Sequence, residues 1–203
     1  MTTSNASLSA EDADRLRAFE RQRHDKLAPT YKDFFSPVTA LAISPLLNAA
    51  QVRPGATLLD VATGPGSLAL EATKLGMICT GVDLSPGMIQ LAQKSNPRIA
   101  FRVADVEHLP FSDASFDAVV CNFGLGHFPY PEVSVAECVR VLKPDGRIAL
   151  SWWDDPSKQR IQGLFREAIA EIGAAPPADV PQGHAIYRFA DTQNFAIYLK
   201  RQT

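Results

Sequence analysis

Through the middle of the chain, short apolar runs alternate with stretches in which apolar residues return every three or four positions. Thr57–Val61, Met77–Val82, Ile99–Val103, Asp117–Cys121 and Arg147–Trp152 read as five short strands. Between them, Ser67–Lys74, Pro86–Asn96 and Pro131–Leu142 carry the helical period: Met88, Leu91 and Ala92 share one face, as do Val135, Cys138, Val139 and Leu142. Strand and helix in repeated alternation predict an α/β fold, a doubly wound, mostly parallel sheet with helices on both faces. In such sheets ligands bind outside the carboxyl ends of the strands, so the chemistry is to be sought there.

The flanks read differently. Ser9 to Tyr31 is charged, with Leu16, Phe19, Arg23 and Leu27 at helical spacing, which predicts a surface helix laid against the main body. The polar, acidic start predicts a disordered tail over residues 1–14. Thr39–Ala50 predicts a second short helix, closed by Arg53-Pro54-Gly55 before the first strand. Beyond the last strand, Ile161, Leu164, Phe165, Ala168, Ile169 and Ile172 stay in helical step until Gly173. No linker interrupts the chain, so residues 15–203 are expected to form one domain. Its parts are a helical lid (15–50), a core (56–152) and a C-terminal region (153–203).

Composition narrows the classes. A length of 203 residues, 46% hydrophobic and 21% charged, suits one soluble domain with a sizeable core, and no apolar run approaches a membrane span. A net charge of -2 supplies no basic field for nucleic acid. Cys79, Cys121 and Cys138 fall inside predicted elements without metal-type spacing, so they read as buried hydrophobes and no metal site is expected. With no greasy leader at the start, the expectation is a cytoplasmic protein.

The strand ends hold the chemistry. Asp60-Val61-Ala62-Thr63-Gly64-Pro65-Gly66 leads from the first strand into a helix whose first N–H groups lack intrahelical partners. Gly64-Pro65-Gly66-Ser67-Leu68-Ala69 also fits a dinucleotide-binding pattern, with Asp83 placed for a ribose hydroxyl. Asp60 argues against that ligand, because a carboxylate facing a pyrophosphate is repelled, whereas one facing an ammonium or sulfonium is attracted. Asp83 can accept both ribose hydroxyls, Asp105 can accept from an adenine amino group, the Val106 N–H can donate to the ring, and Leu84 and Met88 can wall it. The set describes a nucleoside bearing a cationic amino acid.

Five stretches, LLDVATGPG, GVDLSPGMI, VADVEHLPF, FDAVVCNFGLGHFP and VLKPDGRIAL, together resemble the class I S-adenosylmethionine-dependent methyltransferases, closest to the ubiquinone/menaquinone C-methyltransferase-like subgroup. The resemblance covers roughly Tyr31 to Trp152 and implies a Rossmann-like fold. It implies that Gly64 and Gly66 face the methionine part of S-adenosylmethionine, Asp83 its ribose, and Asp105 and Val106 its adenine. Asn122 and Phe123 then line the methyl-transfer site, and Tyr31 sits over the cofactor from the N-terminal helix.

The expected activity is methyl transfer to O, N or C of a small-molecule acceptor, leaving S-adenosylhomocysteine. A catalytically silent protein that binds the same cofactor, as a sensor or dimer partner, is the alternative. His127, just past the Asn122–Phe123 strand end, is the candidate general base, against the plainer reading of a histidine bonded to its own loop. His24 and His184 have no assigned place, and His108 reads as a loop residue. Trp152 and Trp153 end the fifth strand, where one of them can wall a substrate pocket. The family's C-terminal β-hairpin looks truncated or altered. Asp191–Lys200 reads as the helix that precedes it, or Phe195–Leu199 as a strand along the edge. An uncovered edge would invite pairing with a second copy.

Overall fold

The computed structural model describes residues 8–175 together with residues 180 and 181. Five strands form: β1 (Thr57–Val61), β2 (Ile78–Asp83), β3 (Ala100–Val103), β4 (Phe116–Asn122) and β5 (Leu142–Ser151). They pair in the order β3-β2-β1-β4-β5, every pairing parallel. Around them lie α1 (Ala10–Phe34), α2 (Ser36–Ala40), α3 (Ile43–Ala50), α4 (Ser67–Lys74), α5 (Pro86–Ser95), α6 (Pro131–Arg140) and α7 (Arg160–Glu171).

The middles of β1 and β4 are apolar because both of their faces are covered, with polar residues toward the strand ends. Leu58, Ala118 and Val120 pack under α3, α4 and α5 with Leu46, Leu47, Leu68, Ala72 and Ile89. Leu59, Val61, Val119 and Cys121 point the other way, to Cys138 of α6, Val106 and Leu109. At the lower end of the sheet, Asp117 accepts from the Thr57 N–H (2.8 Å) and hydroxyl (2.7 Å) and from Lys143 (3.0 Å), pinning β1, β4 and β5 together. All three cysteines are buried.

Four expectations shift. Residues 10–14, placed in the disordered tail, are the first turns of α1, whose N-cap Ser9 accepts from the Asp12 N–H. The same helix runs on to Phe34 rather than stopping at Tyr31. Thr39–Ala50 is two helices, not one. Pro45 has no N–H to give the Leu41 carbonyl and its ring crowds that oxygen, so the chain breaks at Leu41–Ala42. β5 begins at Leu142, five residues before Arg147, because Leu142 pairs with Phe116 and an irregularity between Phe116 and Ala118 absorbs the extra residues. The expectations for Asp191–Lys200, Phe195–Leu199, His184 and the hairpin lie outside the described residues.

Candidate cofactor and acceptor site

The order of strand addition reverses between β1 and β4: β1 is followed by a crossover to β2, whereas β4 leads the other way to β5. The loops leaving these neighbouring strands diverge and open a crevice. On the β1 side the backbone enters the left-handed region at Ala62 (φ 54°), Gly64 (φ 53°) and Gly66 (φ 81°). Gly66 is required twice over. Its φ suits glycine, and a Cβ there would lie 2.8 Å from Phe101 Cζ and 3.2 Å from Ala92 Cβ.

Asp60 does not reach the crevice. It is 1% exposed, and its carboxylate accepts from the Thr63 hydroxyl (2.6 Å) and the Ala69 N–H (3.2 Å), tying the loop to the first turn of α4. Burial pushes its pKa up to about 7, against these two hydrogen bonds and with the help of Asp83. The expected contact of Asp60 with a cationic ligand is thus replaced by support of the loop from beneath. Gly66, likewise, packs against α5 and β3 instead of lining the cavity.

Asp83 closes β2 and faces the loop. Its Oδ2 accepts from the Gly64 N–H (2.8 Å) and its Oδ1 from the Ser85 N–H (2.9 Å). Burial raises its pKa against those bonds. The Gly64 N–H is the donor a pyrophosphate would need, and its use by Asp83 counts against the dinucleotide reading. The N-cap of α5 is Ser85, accepting from Met88 N–H, with Pro86 behind it, so Asp83 is left free of that role.

α1 lies across the strand ends and is fastened at several points. Asp25 accepts from the Ser85 hydroxyl (2.6 Å) and the Gly87 N–H (2.8 Å). Arg17 pairs with Asp105 (3.0 Å) and with buried Glu107 (2.8 Å), and Glu107 also accepts from the Tyr130 N–H. The Tyr130 hydroxyl donates to the Leu8 carbonyl (3.1 Å).

Beneath α1 lies a cavity of about 710 Å³, within the roughly 300–1,000 Å³ of small-molecule sites. It gathers Tyr31, Gly64, Asp83, Leu84, Met88, Asp105, Val106, Asn122, Phe123 and His127, so ten of the twelve candidate residues meet there. Leu84, Met88 and Val106 form an apolar side next to Asp105, whose carboxylate is shared between Arg17 and the Glu107 N–H. On the opposite side Phe123 stacks on Trp153 (4.2 Å between centroids, 24° between planes), Phe35 meets Trp153 edge-on, and Tyr31 adjoins Phe35. Phe123 holds a left-handed backbone (φ 60°), and its N–H donates to the Ser151 hydroxyl at 3.1 Å. The Asn122 amide is committed elsewhere: it donates to the Thr39 carbonyl (3.0 Å) and accepts from Ser151 (2.7 Å). Carboxylates beside an apolar wall and electron-rich rings suit a nucleoside carrying a sulfonium, which the ring faces attract.

His127 sits in a short turn (Leu125–His127) after β4, and two residues of α1 face it. Its Nδ1 lies 3.1 Å from Glu20 Oε2, and its ring meets that of His24 edge-on at 5.2 Å. His24 Nδ1 is 2.8 Å from the Glu20 carbonyl and 3.4 Å from the Glu20 carboxylate. Burial and the neighbouring His127 lower the pKa of His24. Both tryptophans line the cavity, where one was expected, and His24, left unplaced by the sequence, lines it too. Sequence reasoning also missed Arg17, Glu20 and Asp25. Their only signal was the i, i+4 spacing of Glu20 and His24 on one helical face.

The comparisons agree with this geometry. A family model described as a methyltransferase domain matches residues 59–150. A demethylmenaquinone methyltransferase of Renibacterium salmoninarum is 31% identical over 162 residues, 76% of this chain and 68% of the relative. One of Chlorobaculum parvum is 34% identical over 156 residues, 72% and 64% of the two chains. The chain spans 50% to 68% of the length of the first of these curated relatives. In fold it is similar to a Methanococcus maripaludis protein assigned to the S-adenosylmethionine-dependent methyltransferases, with TM-score 0.62 and 17% identity over 99% of this chain and 88% of that one. S-adenosylmethionine is the methyl donor of that family. A shared core from β1 to β5, its loops diverging at the switch point, places this chain among the class I S-adenosylmethionine-dependent methyltransferases, in the quinone C-methyltransferase-like subgroup.

Proposed function

We propose that this chain methylates carbon or oxygen of a small hydroxylated aromatic acceptor of the quinol type. The observation that carries the reading is the Phe123–Trp153 stack at the end of β4, directly across the crevice from the Asp83–Gly64 corner. A planar acceptor laid on that stack would be oriented by ring faces, and offset stacking tolerates varied ring substituents. The names of the relatives point to the same chemistry, since demethylmenaquinone is reduced to an aromatic quinol.

S-adenosylmethionine supplies an activated methyl group on a sulfonium. Everything else is positioning, exclusion of water and removal of one proton. Asp83, held by the Gly64 and Ser85 N–H groups, keeps its outer lone pairs for a ribose diol. Leu84, Met88 and Val106 present the apolar side to adenine, with Asp105 at its polar edge. Tyr31 and the rest of α1 close the top and keep water from the sulfonium. His127 would take the acceptor's hydroxyl proton, and the bound donor would supply its methyl group to the carbon or oxygen so activated.

The test is to incubate the protein with S-adenosylmethionine and, in separate reactions, 1,4-dihydroxynaphthalene, a simple phenol and an aromatic amine, measuring S-adenosylhomocysteine and methylated product by mass spectrometry. Turnover is expected with the quinol and the phenol. Asp83→Ala should weaken S-adenosylmethionine binding roughly 10- to 100-fold, the loss of charged hydrogen bonds of about 1.5–3 kcal/mol. Tight cofactor binding with no methylated product from any acceptor would instead establish the silent, cofactor-binding reading.

A further inference from the structure

We propose that Glu20 of the lid helix is the positioning residue for His127, so that the base is assembled only when α1 is docked over the cavity. The inference rests on the functional reading above for the identity of the base. The Glu20–His127 pairing itself can be tested without turnover.

Glu20 and His127 come from opposite sides of the cavity, 107 residues apart in sequence, and meet at 3.1 Å. An ionised carboxylate only accepts, so a hydrogen bond between them places the proton on His127 Nδ1. The lone pair is then on Nε2, the nitrogen left for the acceptor's hydroxyl. Glu20 is much the more enclosed of the two, with side-chain exposure of 13% against 37% for His127. That gradient suits an inner carboxylate behind an outer imidazole that meets substrate. Burial alone would raise the Glu20 pKa, but the hydrogen bond to His127 and the charges of His127, His24 and Arg23 bring it below the usual carboxylate range.

The proton balance closes for either acceptor atom: at oxygen the O–H proton leaves, and at carbon the ring C–H proton is lost on rearomatisation as the O–H is restored, one proton in all. The acceptor O–H gives its proton to His127 Nε2, and the O–H electrons supply the nucleophile that takes the methyl. The S–CH3 electrons stay on sulfur, and the imidazolium is compensated by the Glu20 carboxylate. His24, held at Nδ1 by the Glu20 carbonyl, packs its ring against His127 and limits rotation of that ring. The other charged groups facing the pair are Arg23 of α1, 3.5 Å from the Glu20 carboxylate, and Asp83 of β2.

Docking of α1 through Asp25 and Arg17 is what brings Glu20 to His127. Lid closure and creation of the base are therefore one event.

The experiment compares wild type, Glu20→Gln and Glu20→Ala, full length, by 15N NMR of labelled histidines at alkaline pH, with His127→Asn to assign the signal. His127 is expected as the Nδ1–H tautomer in wild type, largely kept in Glu20→Gln, whose amide oxygen still accepts, and moved toward Nε2–H in Glu20→Ala. With 1,4-dihydroxynaphthalene as probe, kcat of Glu20→Ala should fall roughly 10- to 100-fold, less than the ~10²–10⁴-fold of a whole general base because the imidazole remains, at little change in KM. Glu20→Gln should lie between. S-adenosylhomocysteine titration and the melting temperature serve as controls for folding. An unchanged His127 tautomer in Glu20→Ala overturns the inference, whatever the activity. So does stoichiometric binding of added Zn2+ by wild type together with loss of turnover on chelation, because Glu20, His24 and His127 are close enough to share an ion. Absence of turnover in wild type with the tautomer shift intact counts against the function and leaves the pairing standing.

Discussion

Gly66 and Asp60 show how much of the site lies beneath the surface that touches ligand. Replacing Gly66 by Ala forces a left-handed alanine and drives its Cβ into Phe101, so the α5–β3 contact must open. The expected cost is about 1–3 kcal/mol, read as a lower urea midpoint at unchanged slope, with weaker S-adenosylhomocysteine binding. Asp60 is a buried acid whose proton is held more tightly in the folded protein (about 7) than in the unfolded chain (3.8). Its contribution to stability is full below about pH 4 and is lost as pH rises through about 7. Asp60→Asn should flatten that part of the stability profile, measured as the difference between the thermal melting curves of the two proteins from pH 4 to 8. Equal slopes would mean that Asp60 is ionised throughout. Gly64, Gly66 and Asp60 were all legible in the sequence as a ligand loop. The direction in which the carboxylate points was not, because a strand residue's surroundings depend on which neighbours pair with it.

The lid helix is an element whose existence was readable and whose purpose was not. Leu16, Phe19 and Leu27 betray an amphipathic helix, but no local pattern says which surface it covers. That surface is the row of strand ends, and the fasteners are polar. Asp25 bonds the α5 N-terminus, and Arg17 bridges Asp105 and Glu107. Asp25→Ala removes two hydrogen bonds to a carboxylate, each worth about 1.5–3 kcal/mol. Amide exchange within residues 10–34 should quicken roughly tenfold or more, with β1 and α4 unaffected. Uniform acceleration across the sheet would show instead that α1 is part of one cooperative unit with the core. The split of the second helix at Leu41–Ala42 was legible in principle from Pro45, whose cost falls four residues upstream of where it stands.

For the whole molecule, a cavity roofed by α1 and floored by strand ends couples ligand to stability. S-adenosylhomocysteine at about 100 times its dissociation constant should stabilise the fold by about 2.7 kcal/mol, and a nicotinamide dinucleotide at the same concentration should leave the melting temperature unmoved. A dinucleotide shift equal to that of the nucleoside would restore the competing reading of the glycine loop. The parallel sheet, its helices and the position of the crevice follow from period, loop composition and strand count, because these express short-range rules that hold whatever the rest of the chain does. Asp83 and Asp105 could be named for the same reason, each standing at or just past a strand's carboxyl end, whereas Phe123 was reached only through the family resemblance. The partnership of Glu20 with His127 and the capture of Asp105 by Arg17 join residues far apart in sequence. Such contacts leave no periodic trace, since they exist only once α1 has crossed the sheet and burial has chosen which polar atoms must satisfy one another.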